Sequence, residues 1–139
     1  MITKYYLDSS IWRDLHEDRK DKFRPLGEWA FELLKKIRKN KDKVLYSDLV
    51  VDELMKAFNE NVIKELFSIM SNGGLLEKVN VEKKHVKEAV ELKHKYNIPF
   101  GDALHAVLAR DNNAILVARD HHFEEIQHII KAKKPEELI

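Results

Sequence analysis

The sequence contains no cysteine. That absence excludes thiolate nucleophiles, iron–sulfur clusters and Cys-ligated zinc, and gives no sign of an oxidising compartment. Long hydrophobic runs are missing too: no stretch of roughly 18 apolar residues occurs, and the opening MITKYYLDSSIW has no signal-peptide h-region. A soluble, cytoplasmic protein without a membrane partner is expected. Charge of one sign is not in surplus, with 25 basic against 24 acidic side chains and a net charge of +1. The molecule as a whole therefore does not attract nucleic acid, and any such contact must be local. With 139 residues, 44% of them hydrophobic, the chain reads as a single domain over residues 1–139 with enough apolar surface for a real core.

Proline and glycine are scarce, three and four residues, so each break carries information. Residues 3–8, TKYYLD, alternate and then turn apolar before Asp8, Ser9 and Ser10, which predicts a short buried strand followed by a helix. Pro25 opens a helix whose apolar positions Leu26, Trp29, Ala30, Leu33, Leu34 and Ile37 recur at helical spacing up to Asn40. Lys43 to Tyr46 reads as a strand, and Ser47 or Asp48 can cap the helix carrying Val50, Leu54, Ala57 and Phe58. A further helix is expected from Val62 to Met70, stopped by Gly73 and Gly74, then a strand from Leu75 to Val79 and a helix from Glu82 to Tyr96. Pro99 breaks the chain before a short helix from Gly101 to Arg110. Ala114 to Val117 reads as a buried strand, and Ile129-Ile130 as a late one.

Short strands alternating with longer helices predict an α/β fold, three-layered α/β/α around a mainly parallel sheet, with ligands outside the carboxyl ends of the strands. That rule singles out four acids. Asp8 and Asp120 each follow a strand, and Glu53 and Asp102 lie in the first turns of helices that begin near the same sheet edge. Clustered carboxylates repel one another unless a cation neutralises them, and hard oxygen donors suit Mg²⁺ or Mn²⁺. A divalent ion so held polarises a phosphoryl oxygen and acidifies water, which points to phosphodiester hydrolysis.

The same residues resemble the PIN-domain ribonucleases, including the toxins of VapBC-type toxin–antitoxin pairs, over nearly the whole chain. Tyr6-Leu7-Asp8-Ser9-Ser10 is similar to the first acidic motif of the family, and Ser47-Asp48-Leu49-Val50-Val51-Asp52-Glu53-Leu54 to its helical Glu motif. Pro99-Phe100-Gly101-Asp102-Ala103-Leu104-His105-Ala106 resembles the third motif, and Ile115-Leu116-Val117-Ala118-Arg119-Asp120-His121-His122-Phe123 the fourth. The resemblance implies Mg²⁺- or Mn²⁺-dependent cleavage of RNA, with Asp8, Glu53, Asp102 and Asp120 as metal-holding catalytic residues. It also implies an antitoxin partner and a homodimer. Many members carry Thr or Ser two residues before the fourth acid, where this chain has Ala118; Ser9 or Ser10 can supply hydroxyl support from the first motif.

Competing readings attach to each residue. Asp8 can cap a helix, Asp102 can complement a helix dipole, and Asp120 can belong to a turn. Asp52 points away from Val50 and Leu54 and reads as surface, and Asp111 as a loop acid. The histidines have no ligand spacing and read as structural or surface residues, with His105, one turn from Asp102, the best placed to join the acids. Two basic stretches, residues 35–43 and 131–134, and Arg119 beside Asp120 are candidates for phosphate contact or charge balance. An aspartyl-phosphate enzyme is disfavoured because Ser10 stands where a second acid is expected. A degenerate PIN-like module that binds RNA or protein without cutting is the remaining alternative.

Overall fold

A computed structural model describes residues 1–17 and 24–139. Among these residues four short strands form the sheet: β1 (Lys4–Leu7), β2 (Lys43–Tyr46), β3 (Leu76–Lys78) and β4 (Ile115–Val117). They lie in the order β3-β2-β1-β4, and every pairing is parallel, with Tyr6 opposite Leu45 on one side and Leu116 on the other. The two central strands are apolar on both faces, as a covered parallel sheet requires; Tyr5, Tyr6, Leu7, Val44 and Leu45 are all buried.

Among the described residues six α-helices connect them: α1 (Ser9–Glu17), α2 (Leu26–Lys39), α3 (Asp48–Met55), α4 (Glu60–Ser71), α5 (Lys83–Tyr96) and α6 (Phe100–Asp111). The steps from β1 to β2 and from β2 to β3 run in one direction across the sheet, while the step from β3 to β4 runs back past β2 and β1. Right-handed crossovers therefore place α1 to α4 on one face and α5 with α6 on the other. This is the three-layer α/β/α arrangement that the alternation of elements predicts. On the first face α2 presents Ala30, Leu33, Leu34 and Ile37, all buried at helical spacing. Each large side chain among them contributes about 1.5–3 kcal/mol. On the second face every residue of α6 from Ala103 to Ala109 is buried, and three alanines let the helix sit close to β1, β4 and α5.

The expected late strand at Ile129-Ile130 does not form. The amides of both residues bond back to the Ile126 carbonyl at 2.9 and 3.2 Å, closing a turn after a 3₁₀ segment, His121–Ile126. Strand-like pairing is deferred to Lys133, which bridges Val117 in parallel through Lys133 N–H to Leu116 and Ala118 N–H to Lys133. An apolar pair alone carries no information about which carbonyl takes its amides. A second 3₁₀ turn, Pro135–Glu137, packs on α2.

Candidate metal centre

The carboxyl ends of β1 and β4 are joined by a hydrogen bond from Asp8 N–H to the Val117 carbonyl, so the residues just beyond them emerge side by side. Asp8 is 6% exposed. Its Oδ2 accepts the Ser10 hydroxyl at 2.8 Å, while Ser9 Oγ lies 3.1 Å from Glu53 Oε1 and 3.4 Å from Asp8 Oδ1. Glu53 reaches this point from the second turn of α3. Asp52, its neighbour, is exposed.

His105 completes this half of the site. Its ring is fully buried and carries Nε2 to within 2.6 Å of Glu53 Oε1 and 3.4 Å of Asp8 Oδ1. Facing a carboxylate at that distance, Nε2 is the donor. On the far side of the ring, Nδ1 meets the Tyr6 hydroxyl at 2.7 Å, and that hydroxyl meets Ser47 Oγ at 2.8 Å. Ser47 stands at the N-cap of α3, yet its side chain makes no cap bond and serves this network instead. The first turn of α6 closes over Glu53: a Cβ on Gly101 would lie 3.1 Å from Glu53 Oε2. Glycine there leaves room for the carboxylate.

Asp102 and Asp120 form the second half. His122 Nδ1 lies 2.9 Å from Asp102 Oδ2 and 2.7 Å from Asp120 Oδ1. Asp120 also caps the 3₁₀ turn, its Oδ1 accepting the His122 amide at 2.9 Å. The turn role foreseen for this acid thus coexists with its place among the others.

Electrostatics tie the halves together. Burial, then the charges of Asp8 and Asp120, push the Asp102 carboxyl up to about 6, against the opposing pull of His122. Burial also raises Asp8, partly offset by His105 and the Ser10 hydroxyl. Burial works to raise Glu53 as well, but the His105 hydrogen bond and charge outweigh it and hold this carboxyl below its usual range. For His105 burial favours the neutral ring, and Glu53 with Asp8 overcome it, so its pKa is raised. The raised Asp102 reflects burial first and then the negative charge of Asp8 and Asp120 beside it. Together with four carboxylates and the partly open His122 imidazole as donors, it fits a divalent cation. One ligand atom from each of Asp8, Glu53 and His105 falls within 4.8 Å of the others, and so does one from each of Asp120, His121 and His122.

Arg119 does not join the acids. Its guanidinium forks onto Glu136 at 2.6 and 2.8 Å, lies 3.6 Å from Asp14 and covers the Trp29 ring. Arg119 thereby fastens the C-terminal turn to α1 and α2, while it also lines the hollow beside Asp120. Asp111 likewise lies elsewhere, pairing with His85 and Arg110.

A family model described as PIN domain matches residues 5–129. The chain belongs to the PIN-domain family. PIN domains are nucleases that generally use a divalent metal. Among solved structures, this PIN domain is similar to VapBC2 from Rickettsia felis, bound to a DNA fragment from its promoter. The two share 20% identity at a TM-score of 0.67, over 95% of this chain and 98% of that one. FitAcB from Neisseria gonorrhoeae matches at 17% identity and a TM-score of 0.65, over 96% of this chain and 99% of that one. A toxin–antitoxin complex from Klebsiella pneumoniae matches at 16% identity and a TM-score of 0.57, over 94% and 97%. At these identities the likeness is one of fold. The sequence matches no curated protein significantly.

The motif residues of this PIN domain thus lie at one sheet edge, but their partners were not evident from spacing. Tyr6 and Ser47 read as a core aromatic and a helix cap, and only the topology brings them to His105. His122 has no ligand spacing in the sequence and reads there as a structural or surface residue. The segment is a 3₁₀ turn, in which the amide of His122 folds back on Asp120 and carries the ring towards Asp102.

Proposed function

We propose that this PIN domain is a metal-dependent endoribonuclease that hydrolyses RNA phosphodiester bonds and acts as the toxin of a toxin–antitoxin pair. The observation that carries the reading is the gathering of Asp8, Glu53, Asp102 and Asp120 into a partly buried cluster, in which burial and then the charges of Asp8 and Asp120 raise Asp102. These four acids would hold a divalent ion, Mg²⁺ or Mn²⁺; bound there, it would polarise a phosphoryl oxygen and lower the pKa of an attacking water.

The chain's own contribution is positioning. Ser9 and Ser10 fix Asp8, and the line from Ser47 through Tyr6 to His105 fixes Glu53, so the donors are ordered before substrate arrives. Phosphate contacts have candidates close by. Arg13 and Lys56 line a hollow of about 370 Å³ with Ser9, Ser10 and Glu53, and Lys131 and Lys134 line another of about 240 Å³ beside Asp120. The basic stretch at residues 35–43 is placed differently. It ends where Lys43 N–H meets the Thr3 carbonyl, at the amino-terminal edge of the sheet, away from the acids. The VapBC2 and Klebsiella neighbours support an antitoxin partner, and a homodimer belongs to the same reading.

Cleavage of single-stranded and structured RNA with Mg²⁺ or Mn²⁺, compared with the Asp8→Asn, Asp102→Asn double variant, tests the proposal. Activity that requires metal and vanishes in the variant is expected; equal cleavage by both proteins refutes it. The competing reading, a module that binds without cutting, rests on Ala118, which offers no hydroxyl beside the acids. RNA binding that is unaffected by metal and yields no products would favour it.

A further inference from the structure

Imidazole enters this acidic cluster twice, and the two rings stand in different situations. His105 is fully buried, with both ring nitrogens engaged by the Tyr6 hydroxyl and Glu53. His122 is partly open, its side chain 31% exposed, and its Nδ1 faces Asp102 and Asp120 together. The distances from that nitrogen to the two carboxylate oxygens are 2.9 and 2.7 Å. Neighbouring donors around a six-coordinate ion with bonds of about 2.1 Å stand about 3 Å apart. Nδ1 therefore already stands at the spacing of an adjacent ligand from each of the two carboxylate oxygens. The backbone reinforces the arrangement, because the His122 amide pins Asp120 Oδ1 at 2.9 Å. The nearby Ala118 is buried and brings only a methyl group to this side of the site.

We propose that His122 is a direct ligand of the divalent ion held by Asp102 and Asp120, making this a mixed carboxylate–imidazole centre that prefers Mn²⁺ over Mg²⁺. The inference rests on the metal-dependent reading above. Mg²⁺ gives up water reluctantly and favours oxygen donors, whereas first-row transition ions accept imidazole nitrogen. His105 is a positioning residue, held through Tyr6 and Ser47 to orient Glu53. His121, 81% exposed with Nδ1 3.5 Å from Asp120, is the competing imidazole, and the two variants tell the rings apart.

The test uses the whole chain with Mn²⁺ alone as the probe. Titration calorimetry gives Mn²⁺ and Mg²⁺ affinities for the wild type, His122→Gln and His121→Gln, and pulsed electron paramagnetic resonance of the Mn²⁺ protein detects a coordinated nitrogen. Circular dichroism and melting temperature confirm that each variant is folded. The expected result is a nitrogen coupling in the wild type and His121→Gln that disappears in His122→Gln. Mn²⁺ binding should weaken tenfold or more with that loss, by the scale of about 10–100-fold seen even for outer partners of a metal site. Mg²⁺ binding should change by less than about threefold, since Mg²⁺ keeps water in place of imidazole. A nitrogen coupling that persists in His122→Gln, or none in the wild type, overturns the proposal. So does tighter Mn²⁺ binding by His122→Gln, which would mean that the ring merely occupies the place of the ion. A wild type that binds neither ion defeats the metal-dependent reading itself, a result distinct from all of these.

Discussion

Replacing Tyr6 by Phe removes one oxygen atom from the centre of the sheet and tests whether the line behind Glu53 is a working support. Tyr6 is 0% exposed and its hydroxyl sits between Ser47 Oγ at 2.8 Å and His105 Nδ1 at 2.7 Å, both of them in fully buried residues. The ring remains, so packing is conserved and the cost is polar. Leaving a buried polar group without a partner costs about 1–3 kcal/mol, and the Ser47 hydroxyl can rotate to limit its share. A loss of about 2 kcal/mol follows, or a melting temperature lower by roughly 7 °C for a domain of this length. Urea unfolding followed by circular dichroism measures it. Adding Ser47→Ala to Tyr6→Phe should cost less than the sum of the two single changes, because the second removes a group the first has already orphaned. RNA cleavage should fall about tenfold as His105 loses its anchor. A Tyr6→Phe protein within about 0.5 kcal/mol of the wild type, with strict additivity, would refute the coupling of these three residues.

Other perturbations separate the site from its scaffold. Gly101→Ala places a Cβ 3.1 Å from Glu53 Oε2, so Mn²⁺ affinity should fall while the melting temperature holds or rises, alanine being the better helix former; calorimetry and thermal melts report the two effects independently. Asp102 is raised from 3.8 to about 6 in the metal-free fold, so its folded state binds a proton more tightly than its unfolded state. Stability from this residue is therefore lost as pH rises from about 4 to about 6. The difference in melting temperature between Asp102→Asn and the wild type in chelator should grow in favour of the variant over that window, and a difference independent of pH would show that Asp102 is not strained. Arg119→Ala breaks the fork onto Glu136 and should cost about 1.5–3 kcal/mol in urea unfolding. Its kcat/KM on RNA should stay within about twofold of the wild type, because Arg119 faces α1 and the C-terminal turn.

What the sequence disclosed, and what it hid, divides along local and long-range lines. Lys43–Tyr46 is a strand at the bounds its β-favouring residues predict, and α2 follows its apolar spacing from Leu26 to Lys39. Asp8 could be placed at a strand end because the apolar run stops there, and Asp102 in a first turn because Pro99 breaks the chain. Each of these inferences needs only neighbours. Tyr6 and His105 are 99 residues apart, and nothing local to either announces the other. Arg119 shows the same limit in reverse. Beside Asp120 in sequence, its guanidinium finds Glu136 instead, which no short-range pattern connects to it. Ile129-Ile130 failed because hydrophobicity specifies burial, not the carbonyl to which an amide bonds.

The placement of the acids follows from the direction of the crossovers. The chain leaves β1 across one face towards β2 and β3, then returns across the other face to add β4 on the free side of β1. Between β1 and β4 the connections therefore depart to opposite faces, and a crevice opens at their carboxyl ends. Asp8 comes from one lip and Asp120 from the other, while α6, running back beneath β1 and β4, delivers Asp102 and His105 from below. Glu53 is supplied by the helix after β2, across Ser47. Four separate elements thus meet where no backbone has to bend to bring them together. Each pair of carboxylates also acquires an imidazole, one sealed in the core and one open to solvent. The buried ring can only orient its acids, because its second nitrogen is held by Tyr6. The open ring has no such tether, which is why the position of an ion in this site should depend on His122.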